Sequence, residues 1–360
     1  MPTASAEYIS IFVTADCNLR CAYCYTQQCR DTRVISIDFA KKGLDDFFNS
    51  YPYRKIRFQG SGEPTLKLSF MDELLVYARK KYGEVEVELQ TNGYFDSSVR
   101  KWVSDNVGIA WVSFDGLPEV HDIHPPNEDG SGTSAVVLNN IIELMKAGVT
   151  VGIRCCITSL NLHRQEEILD YLKAIGIKTV YGDNIFATDH NEHMTEKYTV
   201  PETLEYAKTF LIAKKYAQSI DMFYGSWLTV NFAEETNRNC SSCTPLPRLT
   251  TDGYVSSCDV TSEGEVGPKE FVYGKWDAAK KIILYDAKQH SLLSARTLEN
   301  MEECSTCKIG KYCAGGCMGK AFLVTGSIMK IDKKACIATK YLAKHLPLGT
   351  GRERHEIEHP

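Results

Sequence analysis

Six short apolar runs rich in β-branched residues recur along the first 230 residues, at 8–14, 55–59, 84–90, 110–114, 150–157 and 179–182. Each has the length and composition of a buried strand. Between them lie stretches with apolar residues at helical spacing, at 36–50, 69–81, 97–105, 134–147, 164–174 and 201–218. The first opens Ser-Ile-Asp-Phe, a helix-start pattern. Six strand-helix units in series predict an α/β fold, a parallel sheet with outer helices, either open or closed into a barrel. Beyond residue 235 the alternation fades, and turn residues and cysteines take over. The expected division is 1–234 for the α/β domain, 235–347 for a cysteine-rich domain and 348–360 for a polar, flexible tail.

Composition narrows the class. The chain has 360 residues, 43% of them hydrophobic, which is enough to bury a sizeable core and excludes a disordered chain or a small disulfide scaffold. A net charge of −5 gives no electrostatic case for nucleic acid. No run approaches the roughly 18 apolar residues of a membrane span, and the amino terminus lacks a basic segment followed by an apolar one. The expectation is a soluble cytoplasmic protein with neither nucleic acid nor membrane as partner.

Fourteen cysteines change that picture. In a chain without an export signal they point to metal binding or chemistry rather than to disulfides. Cys17, Cys21, Cys24 and Cys29 open the chain, and Cys240, Cys243, Cys258, Cys304, Cys307, Cys313, Cys317 and Cys336 crowd its last third. Only Cys155 and Cys156 lie between, adjacent on the fifth strand, and read as core fillers. The spacing Cys17-x3-Cys21-x2-Cys24 suits three thiolates on one [4Fe–4S] cluster, with the fourth iron open to a small ligand. Zinc is the alternative, with Cys29 as the fourth ligand.

The Cys-x3-Cys-x-Tyr-Cys pattern after the first strand resembles the signature of the radical S-adenosylmethionine (SAM) superfamily. The resemblance implies a partial (β/α)6 barrel. It also implies that Cys17, Cys21 and Cys24 hold a cluster whose open iron is chelated by SAM. Reductive cleavage of SAM then gives a 5′-deoxyadenosyl radical that abstracts hydrogen. Gly60-Ser61-Gly62-Glu63-Pro64 resembles the family's Gly-Gly-Glu-Pro turn, with Ser61 in place of a glycine, so Ser61, Gly62 and Glu63 are placed at the SAM ammonium. Ser113, in Ser113-Phe114-Asp115-Gly116, is placed at the ribose. Tyr23 and Tyr25 are placed around the cluster and adenine, and Thr91-Asn92-Gly93 at the pocket wall. Related enzymes often carry an arginine after the His121-Asp122 pair, where this chain has Pro125. That leaves Arg154, in the fifth strand, as the partner of the SAM carboxylate. All these positions lie near the C-terminal ends of strands, where barrel active sites assemble.

The last third resembles the SPASM pattern of peptide-modifying radical SAM enzymes. Cys243-x9-Gly253-x4-Cys258 precedes Cys304-x2-Cys307-x5-Cys313-x3-Cys317 and then Cys336, and Cys240 adds an eighth thiolate. The resemblance implies a second cluster on Cys240, Cys243, Cys258 and Cys317 and a third on Cys304, Cys307, Cys313 and Cys336, three [4Fe–4S] clusters in all. Two four-cysteine zinc sites are the alternative. Asp259 directly follows Cys258, and in sulfatase-maturing relatives an aspartate so placed takes the substrate's proton.

The reading that follows is a radical SAM/SPASM enzyme acting on a peptide or protein by side-chain oxidation, cross-linking or epimerisation. Its expected partners are the peptide or protein substrate and an electron donor such as flavodoxin or ferredoxin; with no recognition domain expected before the first strand, either a separate peptide-recognition protein supplies recognition or the barrel cleft reads the substrate directly. Other readings are a small-molecule dehydrogenase of sugars or cyclitols and a non-catalytic iron–sulfur protein.

Overall fold

The computed structural model describes residues 8–24, 26, 31–124, 127, 129–185 and 198–351. Tyr25, Cys29, Pro125, Pro126 and residues 352–360 of the tail lie outside them. Six parallel strands alternate with helices: β1 Ile9–Phe12, β2 Lys55–Gln59, β3 Glu86–Thr91, β4 Ile109–Ser113, β5 Thr150–Ile157 and β6 Thr179–Asn184. The helices that follow them are α1 Ile37–Ser50, α2 Leu68–Tyr82, α3 Ser97–Asn106, the single turn α4 Pro118–His121, α5 Ser134–Lys146, α6 Gln165–Ala174 and α7 Thr203–Ser219. The fold class is that of the sequence reading, an α/β sheet of six strand-helix units.

Helices cover one face of this sheet and bury its apolar residues, so burial alternates along strands such as β2 and β6. All four residues of β1 are buried. In α1, Ser36 caps the free amides by accepting from the Phe39 N–H, and Phe39, Leu44, Phe47 and Phe48 pack inward. The opposite face is polar and aromatic. On β2 and β3, Arg57 pairs with Glu88 at 2.6 Å, and its guanidinium lies 3.7 Å from the Tyr8 ring centre. On β4 and β5, Gly152 makes room for Trp111, whose ring a Cβ at that position would meet at 2.4 Å.

The sheet does not end with the six units. A three-residue strand, β7 Phe223–Gly225, pairs in parallel with β6 and was not expected from its sequence. At the other edge β8 Arg248–Leu249 pairs in parallel with β1 and leads into an antiparallel meander, β9 Tyr254–Ser256, β10 Val272–Asp277 and β11 Ile282–Tyr285. Gly253 turns the chain between β8 and β9 with φ +87°, a conformation that favours glycine. The result is one sheet of eleven strands that runs through both parts of the chain. The expected boundary at 234/235 falls in the turn-rich stretch between β7 and β8. The cysteine-rich end adds short helices: α8 Ala287–Ser294, α9 Glu302–Ser305, α10 Gly310–Cys313, α11 Met318–Thr325 and α12 Lys333–Ala343, the last packed on α7. No helix among the described residues is long and apolar enough to cross a membrane.

Candidate active site and cysteine groups

The loop after β1 carries Cys17, Cys21 and Cys24, all partly exposed. Fully buried Leu19 anchors it, bridging to Asn127. The Asn18 side chain fastens it to the loop after β3, donating to the Tyr94 carbonyl and accepting from Asn92 Nδ2, each at 2.8 Å. A turn in which the Cys24 N–H donates to the Cys21 carbonyl brings those two residues together. Cys24 Sγ lies 3.1 Å from the Thr26 hydroxyl, which donates to the Ser61 carbonyl at 2.6 Å.

That contact leads to the turn after β2. Gly62 donates its N–H to the Thr14 carbonyl and Glu63 to the Asp16 carbonyl, so the turn packs backbone to backbone on the cysteine loop. The Glu63 carboxylate is buried and accepts from the Thr65 N–H and hydroxyl, the Thr91 hydroxyl and the Asn92 N–H. Its side chain thus ties β2, β3 and the helix start together, and burial pushes its pKa up. The Ser61 hydroxyl donates to Glu263 Oε1 at 3.3 Å.

Asp115, beyond β4, is a hub that sequence reasoning did not single out. Its Oδ2 accepts from the Tyr23 hydroxyl at 2.9 Å and lies 3.0 Å from His124 Nδ1, while Oδ1 accepts from the Cys156 N–H at 2.8 Å. Burial raises its pKa, but His124, His121 and the Cys156 amide more than reverse this and hold it ionised. Tyr23 is therefore fixed by Asp115 and packs edge-on against His124. The adjacent cysteines part company. Cys155 enters the core, whereas Cys156 faces Tyr23 and Arg154 on the polar side of β5 and is not a core filler. Ser113 and Arg154 are register partners across β4 and β5. The Arg154 side chain is 43% exposed, 3.4 Å from Asp183 of β6, with its guanidinium over Tyr181.

The carboxy-terminal cysteines fall into two groups. Cys240 and Cys243 hydrogen-bond to each other, Cys317 acts electrostatically on Cys258, and Cys240 on Cys317. Cys304 interacts with Cys307 and Cys336, and Cys313 with Cys304 and Cys336. The second group lines a cavity of about 270 Å³ that also reaches Cys317, Lys320 and Trp227.

Asp259 stands at the sheet rim beside the first group. Arg248 Nε donates to its Oδ1 at 2.5 Å and Gln59 Nε2 donates to the same oxygen at 3.1 Å. Burial would raise its pKa, but Arg248 above all holds it below the usual carboxylate range. Arg248 also donates to the Ser257 carbonyl and the Ser241 hydroxyl, joining two of that group's three cysteine-bearing segments to β8.

The donor sets suit iron–sulfur clusters. A four-iron cluster takes each thiolate on a different iron and so spreads its ligands. Arg296 is a second sign. It is fully buried, pairs with no carboxylate among the described residues, and its Nε has no hydrogen-bond partner. A buried cation in that state calls for an anion nearby, and thiolate-ligated clusters are anionic.

Comparison with known proteins agrees with this geometry. Residues 11–175 match the model of the Radical SAM superfamily. A cysteine-type anaerobic sulfatase-maturating enzyme of Clostridium perfringens is 26% identical over 338 residues, 84% of this chain and 86% of that protein. Among solved structures, native anSMEcpe with bound AdoMet and Kp18Cys peptide superposes with TM-score 0.77 at 21% identity, covering 94% of this chain and 96% of that one. Streptococcus suis SuiB bound to precursor peptide SuiA gives 0.66 at 14% identity, covering 92% and 76%. Both structures share the fold.

Proposed function

From the premise that this chain is a radical SAM enzyme, we propose that it modifies a peptide or protein by oxidising a cysteine or serine side chain. Cys17, Cys21 and Cys24 hold the cluster that SAM chelates. Ser61, Gly62 and Glu63 shape the turn at the SAM ammonium, Ser113 meets the ribose, Tyr23 packs at the adenine, and Arg154 pairs with the carboxylate. Cys240, Cys243, Cys258 and Cys317 hold a second cluster, and Cys304, Cys307, Cys313 and Cys336 a third. When bound, SAM and the first cluster supply a radical that removes hydrogen from the substrate.

The observation that carries the reaction type is the placement of Asp259. Among the described residues both hydrogen bonds to its carboxylate end on Oδ1, and the side chain is 46% exposed. Oδ2 is thus the oxygen open to substrate. Once a carbon-bound hydrogen has been abstracted, Asp259 Oδ2 is placed to take the thiol or hydroxyl proton, and the cluster that Cys240, Cys243, Cys258 and Cys317 would hold would supply the acceptor for the remaining electron. The substrate loses two hydrogens and gains a carbon–sulfur or carbon–oxygen double bond. Arg248 keeps the acceptor ionised beforehand. The relative named as a sulfatase-maturating enzyme and the fold neighbours with bound peptides support a peptide or protein substrate. Flavodoxin or ferredoxin would supply the electron that starts the cycle.

The test uses short peptides with one β-deuterated cysteine or serine, incubated with reduced holoenzyme and SAM. Deuterium should appear in 5′-deoxyadenosine and the peptide should lose two hydrogens. Asp259→Asn should still cleave SAM and form product about a hundred-fold more slowly. Deuterium transfer from sugars or cyclitols, with none from any peptide, would overturn this reading.

A further inference from the structure

Arg296 follows α8 and is wholly inaccessible to solvent. Its Nη1 donates to the carbonyls of Ile328 and Lys330 at 2.7 and 3.2 Å. Its Nη2 donates to those of Gly315 and Gly316 at 2.9 and 3.1 Å. Four of the five guanidinium N–H groups are thereby satisfied, and the Nε–H is not. Carbonyl dipoles solvate the cation without cancelling its charge. Its position says what does. Gly315 and Gly316 lie between Cys313, of one cysteine group, and Cys317, of the other. A Cβ on Gly315 would stand 3.4 Å from Arg296 Nη2 and would meet Met301, which packs in one buried cluster with Cys304 and against Cys336. An unpaired buried cation is costly unless an anion shares its surroundings. Here Cys313 and Cys317, on either side of the Gly315-Gly316 pair that Arg296 holds, bring a thiolate of each group to the same loop.

We propose that Arg296 is a shared counter-charge for the two carboxy-terminal iron–sulfur clusters, a positioning residue that offsets the negative charge of both and raises both reduction potentials. The proposal rests on the three-cluster reading. Net charge near a cluster is one of the terms that set its potential. A single cation between two anionic clusters also weakens their mutual repulsion, and so favours loading of both. The same side chain orders the loop from Cys313 to Cys317 through its carbonyl contacts. Charge and hydrogen bonding must therefore be separated in the test.

Arg296→Lys keeps the charge and loses the planar fork, whereas Arg296→Gln keeps neutral donors and loses the charge. The readouts are iron per chain in anaerobically reconstituted full-length protein and the potential of each cluster by EPR-monitored redox titration. Wild type should hold about twelve irons. If wild type holds only four, the cluster reading itself has failed, whatever the variants do. Given a loaded wild type, Arg296→Lys should load as well and keep both potentials. Arg296→Gln should either lose about eight irons or load with both carboxy-terminal potentials lowered and the SAM-binding cluster unchanged. If Lys and Gln behave alike, by both loading with unaltered potentials or by both losing iron, the counter-charge role is overturned.

Discussion

Gly62 lies so close to Asp16 that a Cβ built on it would stand 1.9 Å from the Asp16 carbonyl oxygen. The contact joins the turn after β2 to the loop that carries Cys17, Cys21 and Cys24. It is a backbone-to-backbone contact, so no rotamer change can relieve it. The Gly62 and Glu63 N–H groups, bonded to the Thr14 and Asp16 carbonyls, fix the same interface. One glycine thus sets the distance between the proposed SAM ammonium site and the proposed cluster.

Gly62→Ala should consequently push the two loops apart. Overpacking of this kind costs about 1–3 kcal/mol, and the strain falls on the SAM pocket. SAM affinity should drop about ten-fold or more, measured by equilibrium binding to reconstituted protein. The carboxy-terminal clusters should stay loaded, leaving iron content near that of wild type. Unchanged SAM affinity would show that this turn does not face the cofactor.

Replacing Cys17, Cys21 and Cys24 together by Ala should lower iron from about twelve to about eight per chain and abolish cleavage of SAM. The carboxy-terminal cysteines form two groups of their own, so their clusters should survive. A wild-type preparation that saturates at four irons and binds zinc would contradict the three-cluster assignment.

These cysteines stood out in the sequence as candidate ligands because close spacing is a local property. The six strand-helix units were legible for a similar reason: each strand turns apolar residues to the helices, and the helices between carry their own period. The short strand β7 and the meander β8 to β11 were not, since two to six residues leave no period to read. The supporting residues of the site were hidden more deeply. Arg296 meets carbonyls 19 to 34 positions away, and Asp115 meets Tyr23 across 92. No pattern near either residue announces a buried charge. Cys156 was misjudged because two adjacent residues on a strand face opposite ways, and the polar side of this sheet is the one that carries the site.

Arg154→Ala should weaken SAM binding without changing iron content. The arginine projects from the polar face of β5 and stays 43% exposed despite its contact with Asp183, so its guanidinium is accessible to a carboxylate. Loss of a charge-assisted contact costs about 1.5–3 kcal/mol, or roughly ten- to a hundred-fold in Kd. Equal affinities in variant and wild type would remove Arg154 from the SAM site.

Glu263 provides a pH test of how the two parts of the chain are joined. It is 3% exposed. Its Oε1 accepts from the Thr251 and Ser61 hydroxyls, and its Oε2 lies 3.3 Å from Arg33 Nη1. It therefore links the turn after β2, the proposed SAM ammonium site, to the hairpin after β8. Burial, aided by the charge of Asp252, pushes its pKa up to about 7 against the pull of Thr251, Arg33 and Ser61. Between the unfolded value near 4.3 and about 7, the folded protein binds the proton more tightly than the unfolded chain does. Stability is then greatest at the acid end of that window, falls as pH rises through it, and is level above it. The whole change amounts to at most about 4 kcal/mol. Glu263→Gln cannot ionise, so its unfolding midpoint should vary less between pH 5 and 8, with the gain over wild type confined to the alkaline side. SAM affinity should follow, declining from pH 6 to 8 in wild type and staying level in the variant. Parallel pH profiles for the two proteins would show that the Glu263 contact with Ser61 does not bear on the cofactor site.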